Sequence, residues 1–128
     1  MSLHKLEDLD VYRLADEFVN AIWEIVQSWD SFAKYTIGKQ LVEAADSISA
    51  NIAEGYGRCH YKENRNVCFY SRGSLLETKS WINKAAARKL IAPEQQNPFI
   101  SILETVHVKL NAYMKYIGKV STNEQVSR

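Results

Sequence analysis

AADSISANIAEGYGR, Ala44–Arg58, is the stretch on which the architecture turns. Ala44, Ala45, Ile48 and Ile52 recur at spacings of three and four, the period of one helix face. The same stripe extends back through Leu41 to Ile37. The segment therefore reads as the second half of a helix spanning about 33–56. Asn51 to Glu54 still lie on that helix, and Ile52 is its last core residue. Gly55 and Gly57 then let the chain end the helix and turn closely against its neighbour. A nucleotide-cradling reading of Gly55-Tyr56-Gly57 fails, because the segment is too short and follows a helix where such loops follow a strand.

Three further segments have the same period. The first, about 9–29, places Val11, Leu14, Ala15, Phe18, Val19, Ile22, Ile25, Val26 and Trp29 on one face. The third, about 61–89, aligns Val67, Ser71, Leu75, Thr78, Ile82, Ala85 and Ala86. The fourth, about 98–117, aligns Phe99, Ile102, Leu103, Val106, Leu110, Tyr113 and Ile117. Asp30-Ser31 supplies side-chain acceptors for the start of helix two. Asn97 suits a helix cap and Pro98 a first helical position, with Pro93 as an alternative start one turn earlier. Gly118 suits a left-handed helix end, leaving 119–128 as a frayed tail. No strand-like alternation occurs. The expectation is a single all-α domain over 1–128, an antiparallel up-down-up-down four-helix bundle.

The chain of 128 residues is long enough for one core and short for two. It has no apolar run long enough to cross a bilayer. MSLHKLEDLD lacks an apolar signal core, so a cytoplasmic location and no membrane partner are expected. Cys59 and Cys68 have neither metal nor redox spacing and read as ordinary thiols; a site from Cys59, His60 and Cys68 lacks a fourth ligand. Charge is uneven along the chain. Residues 1–30 hold seven acids and two bases, whereas 61–92 hold seven bases and two acids.

Helix three has a second stripe opposite its core: Phe69, Gly73, Leu76, Ser80 and Ala87. A lone bundle leaves Phe69 and Leu76 in water. A glycine inside a helix costs about 0.5–1 kcal/mol relative to alanine, and Gly73 makes sense where another backbone approaches. The stripe is thus a candidate oligomer interface, with acidic helix one and basic helix three supplying complementary charge. On helix two, Gln40, Ser47, Asn51, Glu54 and Arg58 form a polar seam beside the core, with Glu54 and Arg58 in the favourable order for a helical ion pair.

Catalytic signatures are missing: no nucleophile elbow, no phosphate loop, no H-E-x-x-H. Glu104 and His107 have the Glu-x-x-His spacing of bundle metal sites, but no second pair accompanies them. No catalysis, metal or cofactor is expected. Arg58, His60, Lys62, Arg65 and Arg72, interleaved with Tyr56 and Tyr61, form the one basic, aromatic-rich patch, which suits phosphate neutralisation and base stacking.

Gln40, AADSISANIAEGYGR, Lys62-Glu63 and GSLLE (Gly73–Glu77) together resemble the four-helix-bundle proteins encoded in 23S rRNA intervening sequences. LEDLDVYRLADEFV, from Leu6, resembles that family's opening. The resemblance covers residues 6 to about 91 well and helix four in outline. It implies a small homo-oligomer, a pentamer above all, and no catalysis. The family is similar to the accessory proteins of diversity-generating retroelements, pentameric bundles that bind nucleic acid and a reverse transcriptase. Glu43 stands where the family commonly has arginine, and the chain is near neutral; both features weaken a transferred nucleic-acid role. The expected function is a non-enzymatic homo-oligomeric interaction or scaffold module with a protein partner. The alternative is an RNA- or DNA-binding accessory protein acting through the patch at 56–72.

Overall fold

The computed structural model describes residues 5–58 and 61–127, with side chains through residue 119. Among them the chain is all-helical. A 3-10 turn, Leu6–Asp8, leads into α1, Asp10–Gln27. The second helix, α2, opens with an α-turn at Ser31–Ala33, passes through a π turn at Lys34–Gly38 and continues over Lys39–Tyr56. Helix α3 is Tyr61–Ala87 and α4 is Pro93–Ser127.

Local chemistry sets most of these boundaries. Asp30 Oδ1 accepts a hydrogen bond from the Ala33 amide at 3.0 Å, capping α2 as its sequence predicts. The π turn follows from spacing. Ala33, Ile37, Leu41 and Ala45 are each four residues apart and all buried. Three intervals of four exceed three turns of an α-helix by about one residue. One wider turn absorbs that residue and keeps all four on the core face. Gly38 closes the π turn against α1: a Cβ there would sit 2.8 Å from Val26 Cγ1.

Helix α3 ends without a glycine. Lys89 takes the left-handed conformation, with φ 62°. The Leu90 amide donates to Ala85 O at 2.9 Å and the Lys89 amide to Ala86 O at 3.0 Å. That pair of bonds is a Schellman termination.

Helix α4 takes the earlier of its two expected starts and runs past its expected end. It begins at Pro93, where Ala92 is the cap and its amide donates to Gln95 Oε1 at 3.2 Å. Of the two prolines, Pro93 holds the first position, and Pro98 lies inside the helix on its exposed side. Gly118 does not end the helix, which runs on to Ser127, and no described glycine has positive φ. The backbone of 119–127 is thus helical where fraying was expected. Gly118 instead makes room for a neighbour, since a Cβ there would meet Arg65 Nη1 at 2.8 Å.

Helices α1 and α3 each pack against α2 and α4, and stand diagonally across the bundle. Phe18, Ile22, Leu41, Ile48, Ile52, Leu75, Ile82, Leu103 and Leu110 are sealed between the helices, each contributing about 1.5–3 kcal/mol through burial. Phe18 meets Phe99 edge-on at 5.9 Å, joining α1 to α4. Every stripe residue expected on α2 is buried; on α4 the structure adds Met114 to the core. Among the described residues, no helix is long and apolar enough to cross a membrane.

Candidate functional site

Where α2 gives way to α3, small and polar side chains replace the aliphatic core. Gly55 is buried against α3: a Cβ would lie 2.5 Å from Asn64 Oδ1 and 3.0 Å from the Asn64 carbonyl oxygen. The expected close turn is therefore real at Gly55. Gly57 plays no such part. It leaves the helix at φ −78°, a right-handed conformation open to any residue, and a Cβ there would make ordinary contacts.

Asn64 Nδ2 donates to the Tyr113 hydroxyl at 3.0 Å, and Cys68 Sγ lies 3.7 Å from Asn64 Oδ1. One turn further along α3, Ser71 Oγ donates to the Ile48 carbonyl at 2.7 Å. Burial pushes the Cys68 thiol up to about 11, so it is protonated at neutral pH and a poor nucleophile. Burial also raises Tyr113, and the hydrogen bond from Asn64 opposes the rise. Asn64 and Tyr113 surround the thiol with neutral groups, so this arrangement pins α2, α3 and α4 together rather than activating a nucleophile. The sequence does carry a signal for Asn64: positions 64, 67, 68, 71 and 75 continue the core spacing of α3 toward its start.

The predicted seam residues have unequal surroundings. Arg58 Nη2 pairs with Glu54 Oε1 at 2.6 Å, both side chains about half exposed. Ser47 Oγ donates to Glu43 O within its own helix at 2.8 Å. Asn51 is half-buried, and Gln40 is exposed in a shallow groove shared with Trp81 and Lys84.

The second stripe of α3 faces outward along its whole length. Phe69 is 44% and Leu76 52% exposed, and Gly73, Ser80 and Ala87 are exposed too. A Cβ on Gly73 would meet nothing within 4 Å. Leu76, Ser80 and Ala87, with Lys79 and Lys84, line a shallow depression of about 480 Å³.

The basic patch is largely engaged within the chain. Arg58 is held by Glu54. Arg72 sits 4.9 Å above the Phe69 ring and donates to Asn111 Oδ1 at 2.9 Å. Arg65 lies against Gly118. Lys62 and Tyr61 are exposed and Tyr56 is half-buried; His60, like Cys59, lies outside the described residues. Glu104 faces outward toward Lys79 at 4.0 Å. Among the described residues, no group of three or more His, Cys, Asp or Glu is placed to hold a metal ion.

The groove between α1 and α2 was not anticipated from sequence. Trp23, 53% exposed, and Tyr35, 73% exposed, flank a depression of about 470 Å³ floored by Val26, Gly38 and Val42. Trp23 falls outside the core stripe of α1, and that is the signal periodicity offers.

The model of the 23S rRNA-intervening sequence protein family matches residues 7–112. The chain belongs to that family. A solved relative in fold, a protein of unknown function from the S23 ribosomal protein family of Bacteroides thetaiotaomicron VPI-5482, superposes with a TM-score of 0.77. It is 21% identical, over 82% of this chain and 95% of that one. At that identity the likeness concerns the fold alone. Comparison with curated proteins finds no matching relative. The family match spans the α2–α3 junction and the whole of α3, so both the Gly55 contact and the outward stripe lie within the family's shared region.

Proposed function

We propose that this member of the 23S rRNA-intervening sequence family is a non-enzymatic, cytoplasmic, homo-oligomeric interaction module, with the outer face of α3 as its self-association surface. The fold underlying it is an antiparallel up-down-up-down bundle. Contacts between opposite ends of successive helices support that topology: Gly55 with Asn64 and Ile48 with Ser71 between α2 and α3, Gln96 with Asn83 and Tyr113 with Asn64 between α3 and α4. The pentamer is the assembly that the family resemblance implies.

One observation carries the proposal: Gly73 stands exposed in mid-helix with open space around it, between half-exposed Phe69 and Leu76. The chain bears the helix cost of that glycine and the solvent exposure of two large apolar groups, and neither is repaid within one copy. A second copy covering the stripe accounts for both. Light scattering on the purified protein at micromolar concentrations is the test. An oligomer that Leu76→Glu reduces to monomers supports the reading; a strict monomer removes it.

The second reading is RNA or DNA binding at the start of α3, favoured by exposed Lys62, Tyr61 and Tyr70. The engagement of Arg58 and Arg72 by Glu54, Asn111 and Phe69 places this reading second. A steep loss of RNA affinity with salt, flattened by the combined Arg58→Ala, Lys62→Ala and Arg65→Ala variant, would restore it.

A further inference from the structure

Over its first turns α2 stands between two hollows. One is the α1/α2 groove, walled by Trp23 and Tyr35 over Val26 and Val42. The other, of about 410 Å³, lies toward α3 and is lined by Phe32, Ile37 and Trp81. The π turn shapes the ridge between them, and such turns recur at functional sites. Ala33 and Ile37 stay in the core while Phe32, Tyr35 and Thr36 face out, and Phe32 is 80% exposed. We propose that this face of α2 docks an acidic segment of a partner protein, which places one apolar side chain in each hollow and its carboxylates on the cations that line them. The inference rests on the interaction-module reading but uses a different face from the α3 stripe; Lys84 alone edges both.

Charge selects the partner. Lys34 and Lys39 line the first hollow against one carboxylate, Glu43. Lys84 and Arg88 line the second, whose lining holds no carboxylate. Among the described residues, none of these four cations has a carboxylate within 4.0 Å. Two acids of the same region are engaged otherwise. Asp30 caps α2, and Glu77 accepts from the Trp81 indole at 3.4 Å. Cations elsewhere are answered within the chain, Arg13 by Asp10, Arg58 by Glu54 and Lys79 by Glu104. Four unanswered cations around exposed aromatic rings are complementary to an anionic partner with apolar side chains and repel a basic one.

The hollows favour a polypeptide over a nucleic acid. Their aliphatic groups, Val26 and Val42 in one and Ile37 in the other, suit a buried apolar anchor between aromatic walls. Stacking of bases needs open ring faces, and the Trp81 ring already carries Lys84 at 4.6 Å. Spacing agrees. The hollows lie on opposite flanks of the same turns of α2, so about one helix width, 10–12 Å, separates them. Residues seven apart on an amphipathic helix share a face and are about 10 Å apart.

The test uses a fluorescein-labelled helical peptide of Glu and Ala with two Phe residues about two turns apart, titrated with the intact protein and read by anisotropy. The peptide is expected to bind, more weakly as salt rises, and the same peptide with Lys in place of Glu is expected not to. Tyr35→Ser, Lys39→Glu and Arg88→Glu, all at exposed positions and checked for native helicity, are each expected to weaken binding about tenfold. Leu76→Ser, on the α3 stripe, is expected to leave it unchanged. No binding up to about 1 mM peptide, equal binding of the Lys peptide, or loss of binding in Leu76→Ser overturns the proposal. An oligouridine that binds more tightly than the peptide, and that the same three variants release, assigns the face to nucleic acid and overturns it as well. An oligomer that Tyr35→Ser dissolves assigns the face to a second copy, with the same result. Light scattering of Leu76→Glu reads self-association without the peptide, so failure here is distinct from failure of that reading.

Discussion

Gly55 and Gly73 are both glycines in helical backbone, yet their surroundings are opposite. Gly55 is buried, and one methyl group there would collide with Asn64 on the neighbouring helix. Gly73 is exposed, and a methyl group there would touch nothing. The first is fully explained by the packing of a single chain. The second is a cost that a single chain does not recover. The inner face of α3 is thus a finished surface, sealed by Asn64, Ser71 and Leu75, and the outer face is an unfinished one. On the self-association proposed above, that outer face is where a second copy would pack.

The contrast can be broken most directly at the inner site. Gly55→Ala forces a Cβ against Asn64 Oδ1, which is tied to Tyr113 through the same amide, and against the Asn64 carbonyl. Overpacking of this kind costs about 1–3 kcal/mol, visible as a lowered urea midpoint at constant m-value; a stability equal to wild type would show that the two helices separate easily. Ser71→Ala comes next. It removes the 2.7 Å bond to Ile48 O but leaves that carbonyl within its own helix, so the loss is about 1 kcal/mol, measured in the same titration.

At the outer site the sign reverses. Gly73→Ala is expected to stabilise the isolated chain by about 0.5–1 kcal/mol through helix propensity while weakening the oligomer. Unfolding measured at low concentration, together with light scattering at high concentration, reads the two effects apart. A stabilised chain with unchanged assembly would mean that no backbone approaches Gly73. The smallest effect lies between the two faces, at the Glu54–Arg58 pair. Both side chains are about half exposed, and Glu54→Ala should cost about 0.2–0.5 kcal/mol, less at high salt. A loss above 1 kcal/mol would mark the pair as more than a local helix contact.

Much of this arrangement is written in the chain, because burial on a helix face follows a period that one sequence displays. The stripes of all four helices, the Asp30 cap and the close approach at Gly55 are legible for that reason. Helix ends are less so where two residues satisfy the same rule. Pro93 and Pro98 both suit a first helical position, and the cap from Ala92 and Gln95 decides between them. Gly118 has the right residue type for a helix end but spends its missing side chain on Arg65. The real left-handed terminator on α3 is Lys89, and nothing in a lysine announces that role. The α1/α2 groove belongs to two helices at once, so the pattern of either one offers no more than Trp23 standing off the core stripe. The basic patch illustrates the same limit. Its residues cluster in sequence, and the local Glu54–Arg58 pair is legible there, but Arg72 is claimed by Asn111 of α4, a partner that only packing identifies.

The π turn at Lys34–Gly38 has a consequence for comparing this chain with its relatives. It holds one residue more than a regular helix needs, and it lies between a capped start at Asp30 and a buried stripe from Leu41 onward. Losing an exposed residue there, Thr36 for instance, would turn the segment into continuous α-helix without moving any core position after it. An alignment of family members should therefore place its one-residue gaps at 34–38, and a relative carrying such a gap should start this helix with its first turn rotated by about 100°.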